Sequence, residues 1–170
     1  EPGRVSVPRI RPAHPEEGDA LATVLRVSFT PYARALGREV TPAAYARLAK
    51  AHGNGDVHVA EEGGVILGLA ALMRHGDVLE LDLLCVHPAH QRRGIGRALL
   101  AETERIGRAG GFARMELHTA AMFGHLLRLY AGAGYRETHR GPPPHGADAH
   151  PRVFFEKNLQ PPTHFPPQVA

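Results

Sequence analysis

The 170-residue sequence predicts an α/β (α+β) domain, with a central mixed, mostly antiparallel sheet of about six to seven strands flanked by about four helices. Three observations predict it. Two strand patterns meet at the hairpin signal Glu62-Gly63-Gly64, and a third follows across Gly76-Asp77. Elsewhere apolar residues recur at three- and four-residue spacings, as in helices. In the second half a strand, a helix and a strand follow one another, which implies one parallel pairing with a right-handed crossover.

Taken in order, Val5 to Arg11 reads as a short edge strand, because Pro8 cannot donate to a central ladder. From His14 to about Thr30 the pattern is helical through Leu21, Val24, Leu25 and Val27, and Pro31 ends or bends that helix. Thr41 caps a second helix that runs to Ala51, with Pro42 in its first turn. Val57 to Glu61, Val65 to Met73 and Val78 to Val86 are strands, the last the most apolar and therefore central. Ile95 to Ala109 forms a helix ending at Gly110-Gly111, with Ile95, Leu99, Thr103 and Ile106 on one face and Glu104 pairing Arg108 on another. Arg114 to Thr119 is a strand, Phe123 to Ala131 a helix, and Tyr135 to His139 and Val153 to Lys157 are closing strands around a Pro- and Gly-rich loop. Residues 1–160 are expected to form a single domain, and the Pro-rich residues 161–170 an extended or disordered tail.

With 43% hydrophobic and 22% charged residues, the composition suits a packed core and excludes disordered and collagenous classes. The net charge of +3 comes from scattered arginines with no aromatic-interleaved basic stripe, so no nucleic-acid partner is expected. No apolar run approaches the roughly 18 residues of a membrane span, and no membrane partner is expected. The first residues lack a signal-peptide apolar region, and Cys85 is the only cysteine, so a cytoplasmic setting without disulfides is expected.

The segment Gln91-Arg92-Arg93-Gly94-Ile95-Gly96 ends the central strand and opens a helix. Backbone N–H groups and the positive end of the helix dipole make such a turn an anion site, and glycines let phosphate oxygens approach. Arg92, Arg93 and Arg97 add positive charge. The segment lacks the Gly-Lys-Ser/Thr of a triphosphate loop, and no GxGxxG follows the first strand. By itself it says only anion, and an ordinary helix start with packing glycines fits it equally well.

Two longer stretches narrow the reading. Val86-His87-Pro88-x-x-Gln91-Arg92-Arg93-Gly94-Ile95-Gly96-Arg97-Ala98-Leu99-Leu100 resembles the acetyl-CoA-binding signature of the GNAT superfamily of acyl-CoA-dependent N-acetyltransferases. Leu129-Tyr130-Ala131-Gly132-Ala133-Gly134-Tyr135 resembles that superfamily's second signature, and the likeness extends over roughly Ile10 to Leu159. The resemblance implies a GNAT fold whose parallel strands splay at the cofactor, with acetyl-CoA as acyl donor. It implies that main-chain groups of Leu84, Cys85 and Val86 bind the pantetheine arm like an added strand, and that the turn Gln91 to Arg97 binds the pyrophosphate. It also implies Tyr130 as proton donor to the leaving thiolate, a role that suits a phenol held near sulfur.

Strand alternation puts Glu80 and Asp82 on one face with Leu84 and Val86, unless a bulge intervenes, and Cys85 on the other. A partly desolvated carboxylate there can take a proton from the amine directly or through water. Glu80 matches a catalytic glutamate of some relatives and is the first candidate base; Asp82 is a candidate for holding the substrate. His118 matches a position where others place a glutamate base, and ranks behind Glu80. One departure is the stretch before Tyr130, where many relatives carry an Asn and Met122 to Leu126 has none. Cys85 is expected to be inert, so direct transfer in a ternary complex is preferred. No metal is expected, since His87, His90, His139, His145 and His150 lack the partners of a zinc site. Tyr32, Arg38 and Tyr45, with the segment His139 to Arg152, are expected to build the acceptor pocket, Arg38 suiting a substrate carboxylate. A small-molecule amine is the first acceptor class, a protein or peptide the second, and a non-catalytic acyl-CoA-binding module the third reading. A homodimer is the assembly admitted.

Overall fold

The computed structural model of the chain describes residues 7–160. Strand β1 (Arg9–Pro12) leads through a short 3₁₀ turn into helices α1 (Gly18–Ala35) and α2 (Pro42–Gly53). A meander of β2 (Val57–Glu62), β3 (Val65–His75) and β4 (Val78–Val86) follows. Helix α3 (Ile95–Ala109) crosses to β5 (Arg114–Ala120), and α4 (Gly124–Gly132) precedes β6 (Arg136–Gly141) and β7 (Arg152–Asn158). The seven strands make one sheet in the order β1-β2-β3-β4-β5-β7-β6, and only β4 with β5 is parallel.

Helices cover both faces, because the central strands are apolar on both sides. Leu21, Leu25 and Leu48 of α1 and α2 pack with Val59, Leu69, Leu83 and Cys85. Leu99 and Leu100 of α3 and Tyr130 of α4 pack with Leu79, Leu81, Met115 and Val153. Each buried leucine contributes roughly 1.5–3 kcal/mol, far more than local propensity, so these two layers decide where the helices lie. Local signals agree at α2, where the Thr41 hydroxyl accepts from Ala44 N at 3.2 Å and Pro42 starts the helix.

The elements depart from expectation in four places. Strand β1 begins at Arg9, paired with Glu61, because Pro8 can give no ladder hydrogen bond; Val5 lies outside the described residues, as does the predicted tail 161–170. Helix α1 continues past Pro31 to Ala35, its last turn held by Leu36 N on the carbonyls of Tyr32 and Ala33. One missing N–H is outweighed by the burial of Ala33 beyond it. Glu104 pairs with Lys157 of β7 rather than Arg108, and Lys157 also donates to Ala133 O at 2.8 Å, tying α3 to the end of α4.

The fourth departure matters most for the site. Ala71 pairs with Leu83 but Leu72 pairs with Leu81, so Asp82 is the extra residue of a β-bulge. The bulge breaks the alternation. Leu84 and Val86 pack on the α3–α4 side with Leu79 and Leu81, while Cys85 joins Leu83 on the α1–α2 side. Glu80 and Asp82 therefore do not share a face with Leu84 and Val86, and Cys85 is not opposed to Asp82.

Candidate active site

The β4–β5 ladder ends at Glu80 paired with Glu116. Beyond it the strands separate, which leaves the β5-facing edge of Leu81 to Val86 without a strand partner. A cavity of about 760 Å³ fills the gap, bounded by α1, both strand ends, the start of α3, α4 and the loop between β6 and β7. Leu84, Cys85 and Val86 line it, as do Gln91, Arg92, Gly94, Ile95, Gly96 and Arg97.

The turn before α3 has a distinctive backbone. Gly94 is left-handed (φ 79°) as the N-cap, and Arg92 (φ 66°) is the one non-glycine with positive φ among the described residues. Left-handed residues at a helix start turn successive amides toward one point, the geometry of an anion nest. Strain of this kind collects where a ligand needs a backbone shape. The Gln91 amide nitrogen donates to Val86 O at 3.4 Å, tying the turn to the strand end. Arg93 points elsewhere, donating to Glu62 at 2.6 Å, and does not line the cavity. Gly68 of β3 lets α3 sit this low: a Cβ there would stand 2.6 Å from the Cys85 carbonyl oxygen and 3.3 Å from Leu99.

Tyr130 is buried at the cavity wall, edge-on to Tyr135 at 6.0 Å and tilted against Phe155 at 5.8 Å. Burial pushes its phenol well above the ordinary tyrosine value, so it keeps its proton throughout the neutral range. Burial does the same to the Cys85 thiol, leaving it a poor nucleophile.

His118 lines the cavity, and its Nδ1 is buried with no hydrogen-bond partner. Burial, then the nearby Arg152, brings its pKa down to about 4. Its folded-state value lies below the unfolded one, so stability is fully present above about pH 6.5 and is lost as pH falls from there toward 4. Wild-type protein should therefore lose on the order of 1 kcal/mol more than a His118→Gln variant between pH 7 and 5. Thermal midpoints at the two pH values measure this, and equal losses would mean that burial does not hold His118 neutral.

Of the other sequence candidates, Asp82 lines the cavity and accepts from Arg47 Nε at 3.0 Å. Glu80 does not reach the cavity, because it sits where the strands are still paired and its carboxylate meets His75 at 3.2 Å. Tyr32 does line it, its ring edge-on to Phe123 at 5.1 Å and its hydroxyl 3.4 Å from His125 Nε2. Tyr45 packs into the α1–α2 core instead. Arg38 lines the cavity and donates to Asp148 at 2.9 Å; Arg152 donates twice to the same carboxylate, at 3.0 and 2.8 Å. Asp148 thus joins the α1–α2 connection to the β6–β7 loop, and Arg152 holds its carboxyl far below the usual range, with Arg38 adding to the effect.

Sequence reasoning missed Arg47 and Ser28, and it included Asp148 and Arg152 only within the segment His139 to Arg152, without a role for either. The Ser28 hydroxyl lines the cavity, 1% exposed and without a partner. Ser28 does carry a signal, falling seven residues after Leu21 on the buried stripe of α1. Among the described residues no three His, Cys, Asp or Glu side chains cluster to hold a metal ion, and no helix is long and apolar enough to cross a membrane.

A sheet with one splayed parallel pair, and a cavity running from an anion nest to a buried tyrosine, define an acyltransferase of known architecture. The model of the Acetyltransferase (GNAT) family matches residues 21–135, well over half of the chain, and the chain belongs to that family. Its fold is similar to that of the ribosomal-protein-S18-alanine N-acetyltransferase from Escherichia coli (TM-score 0.72, 16% identity, 93% of this chain and 97% of that one covered). It is similar as well to the Drosophila melanogaster polyamine N-acetyltransferase that forms N-acetylagmatine (TM-score 0.75, 15% identity, 89% and 99% covered). A third likeness is to the PaiA N-acetyltransferase from Thermoplasma acidophilum in complex with coenzyme A (TM-score 0.69, 18% identity, 90% and 99% covered). No curated protein sequence matches the chain.

Proposed function

We propose that the protein is a cytoplasmic N-acetyltransferase that moves an acetyl group from acetyl-CoA to the primary amine of a small molecule in a ternary complex. The observation that carries this reading is the juxtaposition, on one cavity, of the splayed β4–β5 edge, the Arg92–Gly96 turn and buried Tyr130. The free edge of Leu84 to Val86 would hold the pantetheine arm as a strand is held, and the amides of the turn the pyrophosphate. Acetyl-CoA supplies its acyl group as a thioester, so an amine attacking it must lose a proton and the departing sulfur must gain one. Tyr130, kept protonated by burial, donates at the sulfur end. His118, neutral with an unpartnered Nδ1, takes the amine proton directly or through water; it lines the cavity and Glu80 does not.

A small acceptor is favoured because Asp148 bridges Arg38 and Arg152 across the acceptor end, where a peptide would need an open groove. A thiol-release assay with acetyl-CoA against a panel of amines and peptides tests the reading. Turnover is expected with small amines. Turnover with peptides alone would overturn the acceptor assignment, and no thiol release from any acceptor, with acetyl-CoA bound in calorimetry, would leave a binding module.

A further inference from the structure

The charges around the acceptor end are lopsided. Arg38, Arg47 and Arg152 line the cavity, whereas Asp82 is the one carboxylate among the described lining residues. Asp82, its side chain 3% exposed, is already engaged by Arg47. Asp148, 4% exposed, accepts from Arg38, Arg152 and the His150 amide, so its oxygens are occupied. Arg47 pairs with Asp82 while Arg38 and Arg152 share Asp148, so the wall carries one more guanidinium than carboxylate. Charge buried in this way is costly unless a counter-ion completes it.

Arg47 is where an anion fits. It meets Asp82 side-on through Nε alone, and neither terminal nitrogen of its guanidinium has a partner among the described residues. An arginine held by Nε with its outer fork open to a cavity is oriented to take a carboxylate bidentately. Two further residues lining the same cavity carry buried polar atoms without partners, Ser28 Oγ and His118 Nδ1. A polyamine would find no free carboxylate here. We infer that the acceptor is a small amine that also carries a carboxylate, seated on the open fork of Arg47 with its amine directed to His118. This deepens the N-acetyltransferase reading and rests on it. Burial first, then Arg152, disfavours the protonated form of His118; Asp82 opposes them, and His145 and Arg47 add smaller repulsions. A docked carboxylate offsets that repulsion and makes the imidazole a better base when the acceptor is present.

The test pairs each of several amino acids with its own amide and its decarboxylated amine, and adds agmatine and spermidine as cationic probes, with acetyl-CoA saturating. The acid is expected to exceed its amide in kcat/KM by about 10- to 100-fold, the range of a charge-assisted bidentate contact. In Arg47→Lys, which keeps a cation for Asp82 but removes the fork, the acid-to-amide ratio should fall toward one, through KM of the acid. Preference for agmatine or spermidine over every acid would overturn the inference while leaving the acetyltransferase reading intact. An unchanged ratio in Arg47→Lys would overturn the assignment to Arg47. Acetyl-CoA binding without any acceptor turnover would overturn both readings.

Discussion

Replacing Tyr130 by Phe is expected to lower kcat about 100-fold while leaving acetyl-CoA affinity unchanged, a loss of about 2.7 kcal/mol of transition-state stabilisation. The effect should be that large because the thioester expels a thiolate, and Tyr130, proposed as its proton donor, is a buried residue at the cavity wall whose phenol burial keeps protonated. It should also be clean. The ring contacts with Tyr135 and Phe155 do not involve the hydroxyl, so Phe keeps the packing. Steady-state kinetics with calorimetric titration of acetyl-CoA separate the two effects. A fully active variant would remove Tyr130 from the chemistry, and equal losses in affinity and rate would make it a cofactor contact.

The strand, turn and helix start that frame the proposed cofactor end were largely legible in the sequence, because their determinants are local. A strand, a glycine turn and a helix start are contiguous residues, and Gln91 to Gly96 and Leu129 to Tyr135 each carry their geometry within one stretch. Even there the turn alone does not show that Arg93, counted as adding positive charge, donates to Glu62, 31 residues away. The acceptor end was poorly legible for the same reason. Asp82 and Arg47 are 35 residues apart, Arg38 and Asp148 110 apart, and no pattern within a segment announces either pair.

Strand alternation failed at one identifiable point. Period-two reasoning is right along β4 until the bulge at Asp82, where the ladder with β3 skips a residue. That irregularity belongs to the pair of strands, not to either alone. Everything on the wrong side of it, including the faces given to Leu84, Val86 and Cys85, was inverted together. The end of the β4–β5 ladder explains why a carboxylate reaches the cavity at position 82 and not at 80. Asp82 falls where β4 has already left β5, and Glu80 where the two are still joined.

The second large effect is expected at Asp148, where an Asp148→Ala variant should lose on the order of 3 kcal/mol of stability in denaturant titration. Two arginines converge on this carboxylate, and Arg152 is only 7% exposed, so truncation strands buried cations instead of merely deleting a contact. The exposed pair Arg140–Glu137 on β6 is the natural control, and Glu137→Ala should leave the midpoint within error. The pH dependence has a definite sign. The native carboxyl of Asp148 is held below its unfolded value, so its contribution is complete above about pH 4 and is lost as pH falls below that. Asp148→Asn should flatten this acid limb relative to wild type. The same ion pairs join two loops at the cavity end proposed for the acceptor, so the variants should also raise KM for the acceptor more than they lower kcat. Stability lost without any change in KM would confine Asp148 to folding, and stability unchanged would mean that the two arginines find other partners.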